Sequence, residues 1–164
     1  MTTFTIRPAR SADVPAIYGM MTELAVFEKL EHLIVATEAM FQDALFGPHP
    51  ACECLVGVEQ DAHGNERPVT FALFFHNFST FLGRKGLYLE DLYVKQDHRG
   101  KGYGRAMLVQ LARVANERGC GRFEWSVLDW NENAIGFYQG LGAELLPDWR
   151  ICRVTGDALE QLAA

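Results

Sequence analysis

Arg99-Gly100-Lys101-Gly102-Tyr103-Gly104 is the stretch that decides how this chain is read. It follows an apolar run at 87–94, LYLEDLYV, that reads as a buried strand. It precedes a segment at 105–118 in which Leu108, Leu111, Val114 and Ala115 fall on one face of a helix. Three alternate glycines at a strand-to-helix junction let backbone N–H groups approach a ligand without Cβ obstruction. The positive end of the helix dipole points at the same place. The junction suits a pyrophosphate.

Spacing narrows the choice. A P-loop needs G-x-x-x-x-G-K-[ST], and no such run exists in the chain. A dinucleotide fingerprint needs G-x-G-x-x-G or a terminal Ala. Starting it at Gly100 puts Arg105 in the last place, and starting it at Gly102 puts Met107 there. What fits is [QR]-x-x-G-x-[GA], with Arg99, Gly102 and Gly104 at the fixed positions. This pattern resembles the acetyl-coenzyme A loop of the GNAT acyltransferase superfamily. A glycine-rich turn without function also fits the six residues taken alone.

At 164 residues the chain fits one domain, 1–164, with room for a substantial core. Hydrophobic content of 49% with 22% charged residues is ordinary for a globular protein. A net charge of −6 argues against a nucleic-acid footprint and favours cationic small molecules as partners. Cys52, Cys54, Cys120 and Cys152 form no C-x-x-C pair and no zinc-like spacing with the histidines, so reduced, buried thiols and no metal are expected. No apolar stretch approaches the ~20 residues of a membrane span, and the first residues lack a signal-peptide apolar region. A soluble, cytoplasmic protein without membrane contact is the expectation.

Along the chain, Phe4 and Ile6 alternate with polar residues and suggest a first strand. Ser11 is placed to cap a helix carrying Val14, Ile17, Met21 and Leu24, and Thr37 to cap a second that stops at Gly47-Pro48. Strands are expected at 54–59 and 69–78, joined by the polar turn at 61–65. After the glycine loop and its helix, Gly119 is placed to end that helix. A fifth strand follows at 123–127, then a helix capped by Asn131 or Asn133, and strands near 143–145 and 149–155 complete the sheet. The result is one mixed α/β domain in which helices flank a central, mostly antiparallel sheet.

Two carboxylates interrupt the apolar strand, Glu90 and Asp91. Strict alternation would let at most one of them face any one site. Burying a carboxylate costs several kcal/mol unless it is paired or its pKa shifts, so either residue calls for a compensating role, and a buried salt bridge or a capped loop would also account for it. Tyr138, seven residues after Asn131 on the same helical face, reads by itself as core packing beside Ile135 and Phe137. Trp130, Trp149 and Phe27 are candidates for the wall of a pocket, and equally for the core. No cysteine has the context for acyl-enzyme chemistry.

Taken together, the segments TIRPARSADVPAI (5–17), ELAVFEKL (23–30), FGPHP (46–50), LYLEDLYV, HRGKGYG (98–104), VLDWNENAIGFYQGLGA (127–143) and WRICRV (149–154) resemble one branch of the GNAT enzymes in the same order. It is the diamine acetyltransferase branch, which acetylates spermidine and spermine or, in a sister group, thialysine. FEKL (27–30) and VLDWN (127–131) are closer to the thialysine group. The resemblance implies that Leu92, Tyr93 and Val94 offer backbone groups to pantetheine. It implies that Arg99, Gly100, Lys101, Gly102, Tyr103, Gly104 and Arg105 hold the pyrophosphate and that Asn131 and Ala134 contact the cofactor beyond it. Tyr138 takes the place of the general acid, against a thiolate. Glu90 takes a substrate-binding place that also passes a proton. Phe27 and Glu28 match further amine contacts, although the polyamine enzymes typically carry Tyr where Phe27 stands. Asp148 stands for a substrate-contacting carboxylate in a loop shorter than the family's, which leaves the choice of amine open.

The implied reaction is acetyl transfer from acetyl-coenzyme A to a primary amine of a small cation by direct attack in a ternary complex. A homodimer with its amine pocket completed by the neighbouring subunit is implied as well, and Trp149, Ile151 and Val154 are apolar enough to serve a terminal-strand interface. Two other readings stay open: an acyl-coenzyme A sensor without catalysis, and an acetyltransferase acting on a protein or peptide.

Overall fold

The structure is a computed structural model and describes residues 2–164, in two compact units, 2–126 and 127–164. The first unit carries the sheet. Its strands are β1 (Thr3–Pro8), β2 (Glu53–Gln60), β3 (Glu66–Ser79), β4 (Arg84–Val94) and β5 (Phe123–Trp125), ordered β1-β2-β3-β4-β5. The first four run antiparallel to their neighbours, and β5 pairs parallel to β4. Its helices are α1 (Val14–Glu28), α2 (Glu38–Phe46) and α3 (Tyr103–Glu117).

Period-2 alternation gives the sheet its two faces. Cys54, Val56 and Val58 of β2, Phe71 of β3 and Tyr93 of β4 pack with Val14, Ile17, Met20 and Leu45 of the first two helices. α3 buries Met107, Leu108, Leu111 and Ala115, so its apolar stripe includes Leu108, Leu111 and Ala115 as the sequence pattern predicts. At Gly57 a Cβ would lie 2.4 Å from Thr70 Cγ2 and 2.6 Å from Phe4 Cζ, so glycine is needed for the β1 aromatic to cross β2.

The caps follow local chemistry. Thr37 Oγ1 accepts from the Met40 N–H at 3.3 Å, as expected, and Gly119 follows α3 in the left-handed region at φ +67°. Ser11 does not cap α1. It opens a single 3-10 turn and hydrogen-bonds Gln42, while the Asp13 carboxylate accepts from the Arg10 N–H at 2.7 Å and from the Arg7 guanidinium at 2.7 and 3.0 Å. Burial pushes the Asp13 carboxyl up, but these donors outweigh it and hold the group below its ordinary range.

The second unit holds α4 (Glu132–Gly140) and α5 (Asp157–Ala163). Asn131 caps α4, its Oδ1 accepting from the Ala134 N–H at 3.2 Å. The strands expected near 143–145 and 149–155 do not form: those residues are irregular chain, and a short helix follows where none was foreseen. β5 likewise stops at Trp125, two residues before the expected end. The thiols also differ from expectation, since Cys54 is buried, Cys52 and Cys120 are half-buried, and Cys152 is exposed.

Candidate active site

The sequence around the glycine loop folds into a cradle. A 3-10 turn, Gln96–His98, follows β4, and the chain then passes through Gly100 at φ +78° and Gly102 at φ +82° before α3 begins. Apart from the glycine and its chain neighbours, no atom of the described residues lies within 4 Å of the place a Cβ would occupy at Gly100 or Gly102. The demand for glycine here is therefore conformational, and the space beside the backbone is open. Gly102 is the N-cap of α3 and supplies no side chain, and no acidic residue sits in the first turn. The N–H groups of Tyr103, Gly104 and Arg105 precede the first intrahelical bond, Ala106 N–H to Gly102 O at 3.0 Å. A helix of 15 residues thus presents its positive end with no acidic residue in its own first turn. These features fit a pyrophosphate.

The strand leading into the loop offers a second kind of contact. β5 pairs with β4 only from Leu87 to Leu89. Among the described residues no strand pairs with the same edge of β4 from Glu90 to Val94, so backbone groups of Leu92, Tyr93 and Val94 lie along an open edge that suits an extended amide-bearing arm.

At the point where that edge opens, β4 is irregular. Leu73 pairs with Asp91 and Phe74 with Leu89, which leaves Glu90 as the extra residue of a β-bulge. Strict alternation, under which only one of the two carboxylates could serve a site, is therefore broken at Glu90. Asp91 is half-buried, and its pKa is pushed from 3.8 to about 6, first by burial and then by the negative charges of Glu90 and Glu28. Burial likewise raises Glu28 at the end of α1. That end is fixed by Lys29 at φ +62°, with the Leu30 N–H returning to the Ala25 carbonyl at 2.8 Å. Glu28, Glu90 and Asp91 take part in no ion pair of the described residues. A negative cluster without an internal cation is a place for a cationic ligand.

Arg99 and Phe27 meet. The Arg99 guanidinium lies 5.1 Å from the Phe27 ring centroid and 5.4 Å from that of Tyr93, and its Nε donates to the Val94 carbonyl at 3.1 Å. Its head thus binds the end of α1 to the start of the loop, in addition to any role toward phosphate. Lys95 adds an ion pair to Glu23 of α1 at 2.7 Å.

Sequence reasoning missed Glu59 of β2. Its carboxylate accepts from Tyr103 Oη at 2.7 Å and from Lys101 Nζ at 2.9 Å, and lies 3.2 Å from the buried His98 Nε2. Those two donors hold the Glu59 carboxyl below its ordinary range. Nothing in the sequence signals a partnership across some forty positions.

Asn131, Ala134, Tyr138 and Asp148 belong to the second unit. Asn131 and Ala134 form the cap described above, Tyr138 lies on α4 with its ring 5.5 Å from that of Phe137, and Asp148 is in irregular chain.

A strand–glycine loop–helix junction beside a bulged, half-open strand defines an acyltransferase-like α/β fold, and the chain belongs to the Acetyltransferase (GNAT) family, whose profile matches residues 18–143. It is therefore an N-acetyltransferase by family. The chain is 38% identical to thialysine N-epsilon-acetyltransferase of Mus musculus over 169 residues, covering 99% of both chains. It is 34% identical to L-ornithine N5-acetyltransferase NATA1 of Arabidopsis thaliana over 197 residues, covering 96% of this chain and 86% of that one. Among solved structures, an integron cassette protein from the mobile metagenome of V. cholerae superposes with TM-score 0.79 at 26% identity, covering 98% of this chain and 97% of that one. Among the described residues no helix is long and apolar enough to cross a membrane.

Proposed function

We propose that the chain transfers an acetyl group from acetyl-coenzyme A to the terminal primary amine of a short diamino substrate of the thialysine or ornithine type, within one catalytic domain spanning 1–164. The observation that carries this reading is the cluster of Glu28, Glu90 and Asp91 at the β4 bulge, which forms no ion pair among the described residues. The likeness to enzymes named for thialysine and ornithine supports the substrate class.

The N–H groups of residues 100–105 hold the pyrophosphate, the open edge at Leu92, Tyr93 and Val94 pairs with the pantetheine arm, and Asn131 with Ala134 contacts the cofactor further on. Bound there, acetyl-coenzyme A supplies the thioester carbonyl that accepts the amine lone pair. An alkylammonium with a pKa near ~10.4 has no lone pair at neutral pH, so a proton must leave first. Glu28 and Asp91 hold the cation by charge, with Phe27 against its chain, and a carboxylate oxygen of Glu90 draws off that proton directly or through water. Tyr138 Oη gives a proton to the departing sulfur. A phenol near ~10 donating to a thiolate near ~8.5 is uphill by ~1.5 units, or ~2 kcal/mol, a small part of a typical barrier. Asp148 serves as a further contact for the distal end of the amine.

Replacing Glu90 by Gln removes a charge and a proton acceptor while keeping the shape. KM for the amine then rises by about tenfold or more, and the acid limb of the kcat/KM profile against pH moves or disappears. A variant with wild-type KM and an unchanged profile would remove Glu90 from the site. We propose a homodimer as well, a reading supported by the exposure of Trp149, Ile151 and Val154. Light scattering at twice the 18.4 kDa chain mass is the expected result, and a monomer at working concentration contradicts it.

A further inference from the structure

We propose that Glu59 is the positioning residue of the pyrophosphate loop, holding its backbone donors in place through three side chains of the loop and the helix start. The inference rests on the acetyl-coenzyme A reading given above. Glu59 stands on β2, and its two oxygens take contacts from three successive parts of the cradle. His98 Nε2, at the end of the 3-10 turn, is 3.2 Å from Oε2. Lys101 Nζ, between the two left-handed glycines, donates to Oε1 at 2.9 Å. Tyr103 Oη, on the first residue of α3, donates to Oε1 at 2.7 Å.

The Tyr103 ring is held from its other side. It stacks flat on Phe4 of β1, centroids 3.8 Å apart and planes 5° from parallel, and Phe4 in turn crosses β2 over Gly57. Two strands of the rigid sheet therefore fix both the ring and the hydroxyl of the residue that begins the helix. The glycines themselves cannot do this. Gly100 and Gly102 have open space where side chains would be, so between Arg99 and Tyr103 Lys101 alone offers a side chain that ties the loop to the sheet. A glycine-rich segment left untied loses more conformational freedom when a ligand orders it, and affinity falls accordingly.

The sign of the effect separates this role from a plain electrostatic one. A carboxylate near an anion site is unfavourable by charge alone, so its removal would tighten coenzyme A if charge were all that mattered. If Glu59 positions the loop, its removal weakens coenzyme A.

The test is calorimetric titration of coenzyme A into the full chain, wild type against Glu59→Gln and Tyr103→Phe, with melting curves for each. Glu59→Gln, which keeps the size and loses the charge-assisted contacts, is expected to raise Kd about tenfold, ~1.4 kcal/mol. In steady state KM for acetyl-coenzyme A rises in step, whereas kcat at saturation and KM for the amine stay within about twofold, a split that general destabilisation would not produce. Tyr103→Phe keeps the stack on Phe4 and loses one contact, so Kd rises about threefold. It decides the matter alone if Glu59→Gln does not fold. Unchanged or tighter coenzyme A binding in a folded variant overturns the positioning role. Absence of binding by the wild type instead removes the acetyl-coenzyme A reading, and the proposal with it.

Discussion

Replacing Asp91 by Asn should make the protein more stable at neutral pH while harming its use of the amine. Asp91 has a carboxyl pKa raised from 3.8 to about 6 by burial and by the charges of Glu90 and Glu28. Below the unfolded value both states hold the proton, and the group makes no difference to stability. Between 3.8 and about 6 the native state keeps a proton that the unfolded chain releases, so stability falls as pH rises through this window. Above it the deficit is complete. A shift of about two units corresponds to roughly 3 kcal/mol at 1.36 kcal/mol per unit, an upper value because water reaches the exposed Glu90. Asn removes the titration and keeps the shape. Urea unfolding followed by tryptophan fluorescence should therefore show Asp91→Asn about 2 kcal/mol more stable at pH 7.5, with the advantage gone by about pH 3.5. The same variant should need more amine to saturate, because a negative group that costs stability is retained where it binds a cation. Equal stability at pH 7.5, or one constant offset at both pH values, would show that Asp91 carries no raised pKa in the native state.

Two further outcomes test the cofactor side and the proton donor. Gly102→Val places a branched residue at φ +82°, which costs about 1–2 kcal/mol and shifts the loop, so coenzyme A affinity measured by calorimetry should fall severely while the far-ultraviolet spectrum is kept. Tyr138→Phe keeps the ring beside Phe137 and should lower kcat by ~10²–10⁴-fold with little change in KM, whereas a kcat within about threefold of wild type would return Tyr138 to a packing role.

Local signals carried much of the fold. Thr37 and Asn131 cap where their chemistry predicts, Gly119 closes α3, and the apolar stripe of that helix faces inward. Each depends on neighbours within about one helical turn. The failures lie where distant partners decide. Ile151 and Val154 have strand-forming side chains, but a strand needs a ladder partner, and in the described residues their segment has none. The short helix at Asp157–Ala163 was hidden by its length and by its closeness to the expected strand.

The site shows the same division. Glycines of the loop could be read because the backbone conformation they permit is a local property. The pairing of Glu90 with Asp91 could not, because a β-bulge is set by the register between β3 and β4, and alternation assumes that register is unbroken. Glu59 could not, because its three partners lie on a loop that the sheet alone brings near β2. Glu28 came into view only through resemblance, and its electrostatic tie to Asp91 belongs to the folded chain.

Whether this acetyltransferase serves a short diamino cation is decided by a competition assay. Thialysine, ornithine, lysine, putrescine, spermidine, spermine and short peptides would be offered together with acetyl-coenzyme A, and the products separated and identified by mass spectrometry. Acetylation at the terminal amine of thialysine or ornithine is expected with the highest kcat/KM, ahead of the long polyamines. Transfer to peptides alone, or a clear preference for spermine, would contradict it.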